Sequence, residues 1–225
     1  MPSCTFGPTR LSGRSFSAAL VFGALCLARP ASADVEEWAG GYIPEPSERR
    51  ADLAVGLHLG GAMGSVVGYP NEVDKIDVPK YERSVRAGPG AAGSLWVGAT
   101  LRDFFTFGLG VQWAELRRGG MDAMLGSAGL HLESFPLFYQ GGALRDLGVT
   151  VDIGLGMGTV DRGGEIEADG GALSHLSVGV IYEALELGGG VNLGPFASYA
   201  RDGSLTMTGD VFSLGLRTSF YSGPR

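Results

Sequence analysis

Residues 105–113 read FTFGLGVQW, and this stretch decides the fold. Phe105, Phe107, Leu109, Val111 and Trp113 occupy every second position, with Thr106, Gly108, Gly110 and Gln112 between them. A period of two is that of an extended strand, whose side chains point alternately to opposite faces. One face is bulky and apolar throughout, while the other is small or weakly polar. A soluble sheet with one wet face carries Lys, Glu and Thr on that face. Glycine and threonine suit instead the inside of a narrow barrel of about eight strands, which has room only for side chains.

The same alternation recurs seven times more. Leu53, Val55, Leu57 and Leu59 alternate with Ala54, Gly56 and His58, and Leu95, Val97, Ala99 and Leu101 with Ser94, Trp96, Gly98 and Thr100. A weaker run sets Ala128, Leu130 and Leu132 against Gly129, His131 and Glu133. Val149, Val151, Ile153, Leu155 and Met157 alternate with Thr150, Asp152 and three glycines. Leu176, Val178, Val180 and Tyr182 face away from His175, Ser177, Gly179 and Glu183, with Ile181 out of phase. Val191, Leu193, Ala197 and Tyr199 form a run weakened by Pro195, which has no N–H for a central ladder. The last run sets Phe212, Leu214, Leu216 and Phe220 against Ser213, Gly215, Arg217 and Ser219. No charged residue falls on the apolar face. An Arg or Lys facing mid-bilayer lipid costs roughly 2–4 kcal/mol. The pattern therefore predicts an all-β fold, an antiparallel up-and-down transmembrane β-barrel of about eight strands.

Domain organisation follows from what precedes the first run. Arg10 and Arg14, the short apolar run SFSAALVFGALCL and the small residues Ala31-Ser32-Ala33 form a secretory signal pattern over 1–33, with cleavage before Asp34. The proline- and charge-rich segment 34–50 reads as a periplasmic linker, and 51–225 as the barrel. Cleavage removes Arg10, Arg14 and Arg29, which moves the formal charge from −7 to −10, and takes both cysteines, Cys4 and Cys26, with it. The mature chain then has no thiol chemistry. No basic cluster tracks phosphates, so nucleic acid is not an expected partner.

Loops agree with this topology. A long polar loop is expected at 65–90, a short connection at 116–122, and polar, glycine-rich ones at 160–171 and 201–208. Tighter joins are expected at Arg102-Asp103 and 184–187, and a moderate one at 139–146. With both termini periplasmic, Phe105, Tyr182 and Phe220 form one lipid-facing aromatic belt, and Trp113, Tyr199 and Phe212 the other.

The signal, the alternating segments and the closing strand VFSLGLRTSFY together resemble the small outer-membrane β-barrel proteins of Gram-negative bacteria, in the OmpA/OmpX-like and OmpW-like sense. The resemblance implies outer-membrane lipid and lipopolysaccharide as surroundings. It also implies insertion by the barrel-assembly machinery, which recognises an aromatic-ended last strand. Here Ser222 to Arg225 follow the aromatic pair, a departure from that pattern.

Candidate chemistry is confined to the inward set His58, His131, Glu133, Asp152, His175, Glu183 and Arg217. Ser, His and Glu can support acyl transfer, and some outer-membrane barrels modify lipid. That work requires access to lipid, which inward histidines lack. The expected role is a lumen network of hydrogen bonds and ion pairs, since buried charges must be paired. Gly154, Gly156 and Gly158 lie within a strand pattern with no following helix, so a nucleotide loop is not expected. The acids Glu72, Asp74, Asp77, Glu165, Glu167 and Asp169 have no cation-loop spacing. No catalytic residue, metal or cofactor is expected. The anticipated function is a non-enzymatic barrel serving envelope integrity or surface contact through its loops. The alternatives are a narrow channel for small or apolar solutes, a lipid-modifying enzyme and a soluble periplasmic ligand-binding barrel.

Overall fold

The structure, a computed structural model, describes residues 50–140 and 142–223; the expected signal segment and the linker before Arg50 lie outside the described residues. Ten strands follow in order: β1 (Asp52–Gly68), β2 (Arg83–Arg102), β3 (Phe105–Arg118), β4 (Met121–Ser134), β5 (Leu147–Arg162), β6 (Glu165–Asp169), β7 (Leu173–Tyr182), β8 (Leu185–Gly188), β9 (Val191–Gly203) and β10 (Met207–Tyr221). Eight of them build the wall, in the order β1-β2-β3-β4-β5-β7-β9-β10, each antiparallel to the next. β10 pairs with β1 from Ala54↔Tyr221 to Gly68↔Met207, so the sheet closes. Closure removes the edges that an open sheet would expose. β6 extends a hairpin from β5, and β8 continues the line of β7 along β9.

Register fixes the width. A path of paired residues runs from Leu57 through Leu95, Val111, Ala128, Leu155, Ser174, Gly203 and Thr208. It returns to β1 at Val67, ten residues further along. That stagger accompanies strand tilts of roughly 35–45° and a bore that side chains can fill. Among the described residues no helix is long and apolar enough to cross a membrane.

Outward positions follow the alternation. Leu109 and Leu155 are 68% and 70% exposed, and Leu59, Ile153 and Leu214 stand out beside them. At the distal end, away from the termini, the pattern inverts. Two residues beyond Trp113 the outward position is Glu115, and beyond Tyr199 it is Arg201. Beyond Phe212, on a strand running the other way, it is Asp210. Tyr199 donates its hydroxyl hydrogen to Asp210 at 2.5 Å, and Arg201 lies 3.7 Å from the same carboxylate. At these levels the inside turns apolar: Val66, Val85, Leu116, Leu125, Val160, Leu173 and Met207 form a buried cluster. Below the aromatic ring the barrel is greasy outside and polar within; above it, the reverse.

This inversion corrects the expected loop boundaries. Segments 65–68, 83–90, 116–118 and 201–203 are strand, and 165–169 and 185–188 carry β6 and β8. The connection after β1 thus shrinks to 69–82. Glu165, Glu167 and Asp169 lie on β6. β3 and β4 meet in a two-residue turn, Gly119-Gly120, with φ of 64° and 75°. Both values suit glycine and the twist of a tight hairpin. The other distal connections interlock. The Tyr69 amide donates to the Thr206 carbonyl at 2.9 Å, that of Asp169 to the Tyr69 carbonyl at 3.3 Å, and Ser204 Oγ to the Gly170 carbonyl at 2.9 Å.

Pro195 sits where the β7 ladder has just ended at Ile181↔Phe196, so its missing N–H breaks no β7 pairing. Pairing resumes at Leu185↔Leu193, so Tyr182, Glu183 and Ala184 oppose only Gly194 and Pro195. This bulge is packed on Gly194, where an added Cβ would sit 1.6 Å from the Tyr182 carbonyl oxygen. Gly194→Ala is expected to push the bulge outward and loosen Glu183, at a cost of about 1–3 kcal/mol. A urea titration of the vesicle-inserted barrel checks it; an unchanged midpoint would show that the bulge is free to move.

Candidate functional site

The lumen gathers the polar side chains, which arrive from inward positions on several strands and from the connections at the proximal end. At the proximal end Arg50, the last residue of the linker segment, enters the mouth. Its Nε donates to Glu183 Oε2 at 2.8 Å, and its Nη2 to Asp146 Oδ1 at 2.7 Å. Nη1 reaches the Asp103 carbonyl at 3.2 Å, and the backbone amide donates to Asp103 Oδ1 at 2.7 Å. The guanidinium lies 3.7 Å over the Phe135 ring. Three proximal connections are thereby held by one side chain. Phe135, Phe138, Ile181 and Phe196 pack beside it, which gives the out-of-phase Ile181 an inward, buried place.

Above this floor lies the central network. Glu183 Oε1 accepts from Ser219 Oγ and from the Tyr221 hydroxyl, each at 2.8 Å. Arg217 Nη2 is 3.4 Å from the same oxygen and donates to Glu133 Oε2 at 2.8 Å, while Nη1 lies 2.7 Å from Glu133 Oε1. His131 bridges onward, with Nε2 2.9 Å from Glu133 Oε1 and Nδ1 2.5 Å from Asp152 Oδ1. Facing two carboxylates, both ring nitrogens are satisfied only as donors, the pattern of an imidazolium. Trp96 stacks on that ring at 4.6 Å and 19°. Arg50, Arg217 and His131 thus face Glu133, Glu183 and Asp152, with Asp146 a further carboxylate on Arg50 at the proximal mouth. Ion pairing on this scale is what lets these charges stay buried, while Arg217 Nε and Trp96 Nε1 are buried without a hydrogen-bond partner among the described residues.

Nearer the distal end, His175 Nδ1 is 2.8 Å from Asp202 Oδ1 and its Nε2 is 3.1 Å from Gln112 Oε1. His58 makes no ion pair; it stacks on Phe196 at 4.9 Å and meets the His131 ring edge-on at 6.2 Å. Of the seven inward residues read from the sequence, five form one connected system, His175 joins a second pair and His58 neither. The reading by sequence missed Arg50, Trp96, Gln112, Asp202, Ser219 and Tyr221 as network members. All but Arg50 lie at inward strand positions; Trp96, Gln112 and Ser219 stand on the small face of the alternation, and Asp202 falls in a segment expected as a loop. Arg50 precedes any periodic pattern and carried no signal.

Two small spaces lie among these lumen side chains, of about 30 Å³ and about 10 Å³. The distal acids pair rather than converge: Glu72 with Lys75 at 2.6 Å, Glu82 with Arg86 at 2.7 Å and Glu167 with Arg83 at 2.6 Å. Among the described residues no group of three or more His, Cys, Asp or Glu is placed to hold a metal ion.

A closed eight-stranded antiparallel barrel, apolar outside and polar within over its middle, defines a small outer-membrane-type β-barrel protein. Among solved structures the chain is similar to Ail, the attachment invasion locus protein of Yersinia pestis, at 13% identity and a TM-score of 0.47, covering 75% of this chain and 99% of that one. It is also similar to Neisserial surface protein A, at 15% identity and 0.45, over 73% and 97% of the two chains. OprG, an outer membrane protein from Pseudomonas aeruginosa, matches at 12% and 0.38, over 76% and 97%. No protein-family model and no curated protein sequence matches the chain.

Proposed function

We propose that this chain is a plugged, non-enzymatic barrel of the outer membrane, reached after export with a cleaved signal, whose work is done by its distal end and not by conduction. The observation that carries this reading is the filled bore. Arg50 and four apolar side chains occupy the proximal mouth, the Arg217–Glu133–His131 system the middle and the Val66–Met207 cluster the distal mouth. The space between them that His58, Gln112 and Asp152 line, about 30 Å³, has room for one or two waters and not for a solute. A surface role draws support from the strands that continue past the aromatic ring and from the interlocked loops they carry. Outer-membrane lipid and lipopolysaccharide are then the immediate partners, with the barrel-assembly machinery acting during insertion. A non-enzymatic reading is supported by the histidines, all three of which are turned from lipid into the lumen.

Planar-bilayer recording of the purified, heat-modifiable protein tests the proposal. The expected result is a baseline indistinguishable from protein-free lipid. Reproducible unitary steps would sink it in favour of a narrow channel.

A further inference from the structure

The larger of the two spaces has a composition that identifies its occupant. It is lined by Asp152, Gln112, His58 and the hydroxyls of Ser94, Ser177 and Ser213, with Phe196 on one side. His58 is 7% exposed, and its Nε2 is fully buried with no hydrogen-bond partner among the described residues. A buried ring nitrogen without a partner is unusual in a folded protein, where such groups are bonded to protein or to water. We propose that this space is an internal hydration site, holding one or two water molecules that join His58 Nε2 to Asp152 and the surrounding serine hydroxyls.

Size, polarity and charge each bear on the choice of ligand. A water needs about 10–15 Å³ and two to four polar partners. The space has roughly twice that volume, and its lining has more partners than two waters need. The same hydroxyls and carboxylate would also suit a small monovalent cation, so charge decides. Asp152, the one carboxylate that lines the space, is already matched by His131, 2.5 Å away. A further ion would be buried without a counter-charge, which low-dielectric surroundings penalise heavily. A neutral ligand with both donors and acceptors meets every requirement. The smaller space, lined by Gln112, Asp152 and His175, is of one-water size and adjoins the first through the two residues they share. The site is a property of the lumen and holds whether or not the distal end binds a partner.

The test is a crystal structure of the full-length protein at a resolution that resolves water, with one crystal soaked in rubidium chloride. The expected result is one or two water peaks about 2.6–3.2 Å from His58 Nε2 or Asp152, with no anomalous peak. Featureless density in the space, a hydrocarbon tail or a rubidium peak would each overturn the proposal. His58→Phe, which keeps a flat ring without its nitrogens, is expected to lose the water bonded to Nε2. An unchanged water pattern in that variant would show that His58 does not hold it. The unsubstituted protein decides the matter if that variant does not fold. Thermal midpoints in sodium, potassium and choline chloride at one ionic strength are expected to coincide, and a cation-specific rise would favour an ion.

Discussion

Arg217→Met is expected to destabilise the inserted barrel by about 3–5 kcal/mol, the range found when one partner of a buried ion pair is removed. That corresponds to roughly two to three and a half orders of magnitude in the folding equilibrium. Methionine approximates the length of the arginine stem, so packing changes little and charge changes fully. Glu133 loses both of its guanidinium contacts and keeps only His131. Glu183 suffers less, because Arg50, Ser219 and Tyr221 still bond it. The double variant Arg217→Met with Glu133→Gln should recover much of the loss, since no orphaned carboxylate remains. Urea titration into vesicles, read by heat-modifiable gel mobility, measures both. A single-variant cost below about 1 kcal/mol would mean that water already reaches the network and screens it.

The network also accounts for how a barrel in lipid acquires a specific interior. Burying apolar surface drives a soluble core, but lipid offers the outer face of this barrel an apolar solvent already. What remains for the lumen is to satisfy polar groups that hydrocarbon would not accept. Glu133 from β4, Asp152 from β5, Glu183 from the bulge after β7 and Arg217 from β10 tie distant parts of the wall together across the bore. Arg50 adds the chain entering β1. Beyond the membrane the outer face meets water, and the distal cluster reverts to the ordinary arrangement, apolar residues inside. Burial there contributes about 1.5–3 kcal/mol for each large side chain.

That switch of solvent along a single strand explains what the sequence discloses and what it hides. Within the lipid band the parity of apolar residues is constant, so Phe105 to Trp113 or Val149 to Met157 read directly as strands with a known outside. The lumen residues His131, Glu133, Asp152 and Arg217 follow from the same parity. At the aromatic ring the parity flips: Val111 and Trp113 face out, while Ala114 and Leu116 face in. A period count sees the flip as the end of the alternation, and so 116–122 and 65–90 read as loops. On β4 it falls early, with Leu130 and Leu132 outward but Leu125 and Ala123 inward, and only the proximal half stands out as a strand. Arg50 was hidden for a different reason. Its place depends on Asp103, Asp146 and Glu183, three residues distant in sequence that only closure of the barrel brings to one mouth.

The membrane placement makes a second large prediction. Leu109 lies midway along the outward face of β3, between Phe105 and Trp113, and is 68% exposed. Leu109→Arg is expected to cost about 2–4 kcal/mol in vesicles, because a guanidinium at the bilayer middle must snorkel or thin the membrane to stay hydrated. Met124 supplies the contrast. It too points outward, on β4, but pairs with Glu115, beyond the level of Trp113 where the surface turns charged. Met124→Arg should therefore cost only about 0–1 kcal/mol, the value for a cation near the interface. Neither side chain packs against the lumen, so the difference reports the solvent each one meets. Run side by side in the same urea titration, the two variants separate lipid from water as that solvent. Equal midpoints would mean that the Leu, Val and Phe band is not immersed in hydrocarbon, and a soluble barrel with an exposed apolar surface would have to be considered instead.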